Sequence, residues 1–172
     1  MGLANWITMF RIFIVPIFMA FVLSGAPYGS FLAAIVFGIA AITDGLDGYV
    51  ARKRKQVTKF GKLIDPVADK LLISSALISL VELDQISAWI AVIIIGREFA
   101  VSGLRILAAA EGVVIAATIW GKIKTLTQII AILFMLLDVK GAMVIMWLAV
   151  VATIVSGVDY FVNAQELLKK KA

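Results

Sequence analysis

Four aspartates carry the first argument. Asp44 and Asp47 stand three apart, and Asp65 and Asp69 stand four apart. On a helix either spacing puts both side chains on one face. The basic stretch between the pairs, residues 52–62, is short enough to keep the two helix ends neighbours. Four carboxylates at close range repel one another, and each makes its neighbours easier to protonate. Bound divalent cations remove that repulsion and keep all four ionised. Two metals held by shared carboxylates form a clamp suited to phosphoryl chemistry, because it stabilises both the attacking and the leaving oxygen. The plainer roles, a helix cap or a partner for Arg52 or Lys62, account for a single aspartate better than for two same-face pairs flanking one loop.

The medium makes these carboxylates costly. The chain has 172 residues, and 63% of them are hydrophobic, against about half in a soluble domain. That marks an integral membrane protein, in which acidic groups do not accumulate without a task. The chain has no cysteine and no histidine, which excludes disulfides and thiol chemistry. It leaves carboxylates as the main metal ligands, and these favour Mg²⁺, Mn²⁺ or Ca²⁺ over zinc. The net charge of +5 fits contact with an anionic lipid surface. No basic patch interleaved with aromatic residues points to nucleic acid.

The elements that must position the aspartates follow from the apolar runs. Six candidate spans lie at about 7–24, 31–51, 64–83, 86–107, 118–137 and 142–163, each near the ~20 residues that cross the hydrocarbon. Breaks fall at 24–30, 52–62, 82–85, 108–112 and 138–141. The expected fold is all-α, an integral membrane bundle of six transmembrane helices forming one domain over residues 1–172. No internal repeat, domain linker or convincing cleavable signal peptide interrupts it. Basic residues set the orientation. With the N-terminus in the cytoplasm, Arg52, Lys53, Arg54, Lys55, Lys59, Lys62, Arg105, Lys122, Lys124, Lys169, Lys170 and Lys171 lie inside, and only Lys140 clearly lies outside. Both termini are then cytoplasmic, and Glu82, Asp84 and Asp138 mark outer loops. Gly38, Ala40, Ala41 and Gly157 read as ordinary helix-packing residues.

Small residues surround the aspartates. Gly48, Ala51 and Gly61 leave room for a flat ligand against the backbone, and Arg52 supplies a fork suited to phosphate. Pro66 fits either the first turn of a helix or a kink. The pattern D-x-x-D-G-x-x-A-R-x₈-G-x-x-x-D-x-x-x-D, matched by Asp44, Asp47, Gly48, Ala51, Arg52, Gly61, Asp65 and Asp69, resembles the signature of the CDP-alcohol phosphotransferases. The pattern covers residues 44–69, and the six-span layout extends the resemblance over nearly the whole chain. The resemblance implies an enzyme that moves a phosphoalcohol group from a CDP-linked donor to an acceptor hydroxyl and releases CMP. It implies two divalent cations, Mg²⁺ or Mn²⁺, on Asp44, Asp47, Asp65 and Asp69. It places cytidine near Gly48, Ala51 and Gly61, and diphosphate near Arg52. It makes Asp69 the base for the acceptor's proton, a role that spacing alone gives to none of the four. It also implies a homodimer with a cavity open to the cytoplasm.

Three further stretches bear on the acceptor. In residues 5–18, Asn5, Thr8 and Arg11 recur at helical spacing and make one polar face. That face either borders the nucleotide site, as the resemblance implies for Asn5 and Thr8, or belongs to a juxtamembrane helix whose Arg11 snorkels to the interface. In residues 93–105, Arg97 and Glu98 lie in mid-span, where an ion pair reads as functional by default, and Arg105 shares a face with Arg97. Lys122 and Lys124 open the fifth span and are either pocket residues or positive-inside anchors. Arg97, Arg105, Lys122 and Lys124 together could take a second anion. The stretches R-E-F-x-V-x-G-L-R and G-K-x-K-T resemble the members of the family that use sn-glycerol 3-phosphate as acceptor and CDP-diacylglycerol as donor. The product implied is phosphatidylglycerophosphate, made for phospholipid biosynthesis at a bacterial inner membrane. Alternatives are the same fold with inositol phosphate or phosphatidylglycerol as acceptor, a divalent-cation carrier, and a non-catalytic membrane scaffold.

Overall fold

The computed structural model describes the backbone of residues 3–54, 59–112 and 118–169, and the side chains of 9–43, 67–68, 70–112 and 118–165. Within them the chain is all helical, with six helices and no strand: α1 (Leu3–Leu23), α2 (Gly29–Arg54), α3 (Lys59–Glu82), α4 (Ala88–Ala110), α5 (Ile119–Leu136) and α6 (Ala142–Lys169). Each helix contains most of one expected span. The break expected over 52–62 is there but narrower than expected. Helix α2 runs on to Arg54 and α3 starts at Lys59, because lysine and arginine are good helix formers, and at the end of α2 their charge also suits the helix dipole. Position 66 therefore falls inside α3, past its first turn.

Short connections at 24–28, 83–87 and 137–141 fold the helices into three hairpins, α1–α2, α3–α4 and α5–α6, whose members pack on each other. The first turn needs glycine twice. Gly25 has a φ of +63°, and a Cβ on Gly29 would lie 2.5 Å from the Phe21 carbonyl oxygen and 2.6 Å from Ser24 Oγ. The other two turns share one device. Asp84 (φ 55°) and Asp138 (φ 51°) take the left-handed conformation just past α3 and α5. At each, a pair of backbone bonds closes the helix: Asp84 N to Val81 O and Gln85 N to Leu80 O, then Asp138 N to Met135 O and Val139 N to Phe134 O. This is a Schellman stop with aspartate in the usual glycine place. Ser87 caps α4 by accepting from Trp89 N, and Thr118 caps α5 by accepting from Gly121 N.

One apolar core joins all six helices. Phe18, Phe37, Leu77, Leu80, Ile90, Ile94, Ile132 and Met146 are buried in it, and the Phe18 and Phe37 rings meet at 5.9 Å. The outer surface is apolar as well. Phe13, Tyr28, Val92, Phe99, Ile106, Trp147 and Leu148 are exposed, a distribution that suits lipid and not water. Residues 119–136 and 142–165 are long and apolar enough to cross a membrane, and 9–23 and 29–43 are shorter apolar stretches. Helix α4 has the length, at 23 residues, but carries Arg97, Glu98 and Arg105. Gly38 sits in ordinary contact with Leu133, as a packing residue should. Gly157 does more, since a Cβ there would stand 3.3 Å from Arg97 Cγ. It makes room for a charged side chain.

Candidate active site

The hairpin turns occupy one end of the bundle. The other end collects the start of α1, the end of α2, the start of α3, the end of α4, the start of α5 and the end of α6. Most residues singled out for chemistry belong to the half of the bundle nearer that second end, whereas Arg97 and Glu98 lie midway along α4. Asp44, Asp47, Gly48, Ala51 and Arg52 are on the last turns of α2, Gly61, Asp65 and Asp69 on the first turns of α3, and Asn5 and Thr8 at the start of α1. Their side chains lie outside the described residues. The backbone gives what can be said of them: α2 and α3 touch each other, and α1 packs against both. Among the described residues, no group of three or more acidic side chains could hold a metal. The two aspartate pairs, on two helices that touch, in a chain without histidine or cysteine, are a donor set that fits hard divalent cations.

Arg11 separates two readings of α1. It is 3% exposed, so its guanidinium is buried within the bundle and does not snorkel outward. Of the polar face of α1, Arg11 at least is turned toward protein.

The cations of α4 and α5 are described in detail. Arg97 Nη1 donates to Glu98 Oε1 at 3.2 Å, and Arg97 Nη2 donates to Ser156 Oγ on α6 at 2.6 Å. Lys124 Nζ of α5 is ion-paired to the same Glu98 Oε1. The Arg97 guanidinium carbon stands 5.8 Å from the centre of the Tyr160 ring, and that of Arg105 stands 5.9 Å from it, both within cation–π range. Arg97, Lys124 and Glu98 side chains are 11%, 7% and 16% exposed, so the trio is largely withdrawn from water. Breaking a buried pair of this kind costs about 3–5 kcal/mol, because it strands a charge. The trio still carries one net positive charge. Arg97 Nε is buried and makes no hydrogen bond, which leaves that nitrogen a donor without an acceptor. A second buried polar link, Gln128 Nε2 to Thr153 Oγ1 at 2.9 Å, joins α5 to α6 one turn beyond Lys124.

The structure thus brings Arg97 and Lys124 together and sets Arg105 on the same tyrosine as Arg97. It separates Lys122 from Lys124. Lys124 is buried while Lys122 is exposed, as two residues two apart on a helix must be. Sequence reasoning missed the α6 contribution. Ser156, Asp159, Tyr160 and Asn163 recur at helical spacing inside an apolar helix, and that polar stripe was the available signal. Asn163 Nδ2 donates to Asp159 Oδ1 at 3.1 Å, and Tyr160 is 3% exposed in a small cluster with Val101, Ala108 and Ala164.

Comparison with known proteins bears on this arrangement. The model of the CDP-alcohol phosphatidyltransferase family matches residues 1–155. The chain is similar to the CDP-diacylglycerol–glycerol-3-phosphate 3-phosphatidyltransferase of Bacillus subtilis strain 168, with 46% identity over 98% of this chain and 97% of that protein. It is 38% identical to the protein of the same name from Rickettsia felis, over 93% of each. It is 39% identical to a probable phosphatidylglycerophosphate synthase of Mycobacterium tuberculosis, over 95% of this chain and 81% of that one.

Proposed function

The chain belongs to the CDP-alcohol phosphatidyltransferase family, and from that membership we propose that it transfers the phosphatidyl group of CDP-diacylglycerol to sn-glycerol 3-phosphate, giving phosphatidylglycerophosphate and CMP. The single observation that carries the choice of a phosphate-bearing acceptor is the Arg97–Glu98–Lys124 cluster with Arg105 alongside, and the names of the relatives favour glycerol 3-phosphate over inositol phosphate or phosphatidylglycerol. An acceptor that brings its own phosphate needs such a pocket, and a neutral polyol does not.

Asp44, Asp47, Asp65 and Asp69 would hold two divalent cations, Mg²⁺ or Mn²⁺. When bound, these supply charge neutralisation at the donor's diphosphate. The remaining work belongs to the chain's own residues. Gly48, Ala51 and Gly61, with Asn5 and Thr8 of α1, seat the cytidine, and Arg52 takes a diphosphate oxygen. Arg97, Arg105 and Lys124 hold the acceptor's phosphate, and Lys122 stands at the exposed margin of that pocket. Asp69 accepts the proton of the acceptor hydroxyl. The hydroxyl oxygen then forms a bond to the phosphorus that carries diacylglycerol, and the bond from that phosphorus to the CMP oxygen breaks. Holding both reactants in line removes much of the entropic barrier.

The apolar surface and the collection of cations at one end support six spans in the inner membrane, with both termini and the site on the cytoplasmic side. A homodimer is the assembly that family membership favours. A cation carrier fits less well, because carrier sites sit on broken helices, whereas the aspartates here belong to two unbroken helices, α2 and α3.

Arg97→Ala or Arg105→Ala tests the pocket. Either should raise KM for glycerol 3-phosphate by about tenfold or more, the worth of one charge-assisted hydrogen bond, and change KM for CDP-diacylglycerol much less. Equal effects on both substrates would remove the pocket from the account.

A further inference from the structure

The cluster contains a residue that none of these roles uses. Glu98 is an acid in the midst of a pocket assigned to an anion. By charge alone it should weaken phosphate binding. Its contacts give the reason for its presence. Helix α4 packs on α3 and α6, and α5 packs on α6, α2 and α3. Helices α4 and α5 do not pack on each other along their length, and Lys124 has to reach α4 with its side chain. The acid it reaches is Glu98, through the same oxygen that receives Arg97 Nη1. Arg97 is fixed independently from the other side, by Ser156 Oγ and by the Tyr160 ring. Glu98 therefore ties the long, rotatable Lys124 to a guanidinium whose place is already set.

We infer that Glu98 is a positioning residue that holds Lys124 across the α4–α5 gap, so that the acceptor's phosphate meets two cations from two helices already in register. The inference rests on the proposed use of Arg97 and Lys124 for that phosphate. A free lysine side chain has many rotamers and would lose that freedom on every binding event. A lysine tied down beforehand has already lost it. The acid also keeps the two cations from repelling each other while the pocket is empty, in surroundings where unpaired charge is costly.

The test is a double-mutant cycle on the full-length enzyme in detergent or vesicles, with Glu98→Gln, Lys124→Met and the pair. Glutamine keeps the size of glutamate and removes its charge, and thermal melting checks that each variant is folded. Glu98→Gln should raise KM for glycerol 3-phosphate by about tenfold, the worth of one charge-assisted hydrogen bond, with KM for CDP-diacylglycerol unchanged within about twofold. On the Lys124→Met background it should add almost nothing, since residues that act through one another are not additive. Additive effects, equal loss for both substrates, or a lower KM in Glu98→Gln would overturn the inference. The last result would make Glu98 a competitor of phosphate and not a strut. A second arm needs no turnover. Amine labelling of Lys124, read by mass spectrometry, should be faster in Glu98→Gln than in the wild type, and unchanged labelling would also overturn the inference. Should the wild type release no CMP with glycerol 3-phosphate, the proposed function fails on that result, and the labelling arm still decides the role of Glu98.

Discussion

Arg97 is held on three sides: by Glu98, by Ser156 and by the face of Tyr160. Only a planar fork can meet all three at once. Arg97→Lys should therefore fail to restore the acceptor KM lost in Arg97→Ala, although it restores the charge. Full rescue by lysine would show that charge alone suffices. The two lysines of α5 make a sharper contrast. Lys124 is buried against Glu98 and Lys122 is exposed, so Lys124→Ala should raise the acceptor KM more than Lys122→Ala does. The reverse order would put the phosphate on the outer face of α5. Asp69→Asn should abolish CMP release while leaving the thermal melt close to wild type. Of these residues, the sequence made Arg97, Arg105, Lys122 and Lys124 legible, because cations inside apolar runs are conspicuous. Ser156 and Tyr160 were not, because a serine or a tyrosine in an apolar helix is unremarkable until Arg97, distant in sequence, is seen to donate to the one and to lie over the ring of the other. Glu98 was noticed as half of a pair with Arg97, whereas its tie to Lys124 depends on how α4 and α5 sit across α6.

At the scale of elements, what the molecule needs is that three hairpins close firmly at the end away from the chemistry. The turns do this with backbone geometry that single substitutions can probe. Gly29→Ala should destabilise by roughly 1–3 kcal/mol, the usual penalty for overpacking, because its Cβ would meet the Phe21 carbonyl at 2.5 Å. Gly38→Ala should be nearly neutral, since its nearest contact would be Leu133 at 3.9 Å. A comparison of the two melting temperatures checks this, and equal shifts would count against the hairpin geometry. The number and order of the helices were readable from apolar runs alone. Their ends were less so. Hydropathy spread the break over 52–62, whereas the helices extend into that stretch from both sides, since lysine and arginine have good helix propensity and suit the C-terminal end of α2. The Schellman stops at Asp84 and Asp138 were read only as polar loop markers, since the left-handed conformation that gives them their role appears only in the backbone.

For the whole molecule, the three hairpin turns, with Glu82, Asp84, Asp138 and Lys140, lie at one end, and most of the cations of the sequence belong by their place in the chain to the other, with an apolar outer surface between. The proposed orientation puts the charged end in the cytoplasm. The absence of cysteine makes this simple to examine. A single cysteine placed by Asp138→Cys should react with a membrane-impermeant thiol reagent in intact cells, and one placed by Lys170→Cys should react only after permeabilisation. The opposite pattern would invert the topology and place the site outside. The central claim is chemical, and one measurement meets it most directly. Purified protein is given CDP-diacylglycerol and Mn²⁺, and CMP release is followed with glycerol 3-phosphate, inositol phosphate, phosphatidylglycerol or no acceptor. Release should depend on glycerol 3-phosphate, with phosphatidylglycerophosphate as the lipid product. Release that ignores glycerol 3-phosphate and follows another acceptor would contradict the assignment, and would leave the cations around Glu98 to be explained by a different anion.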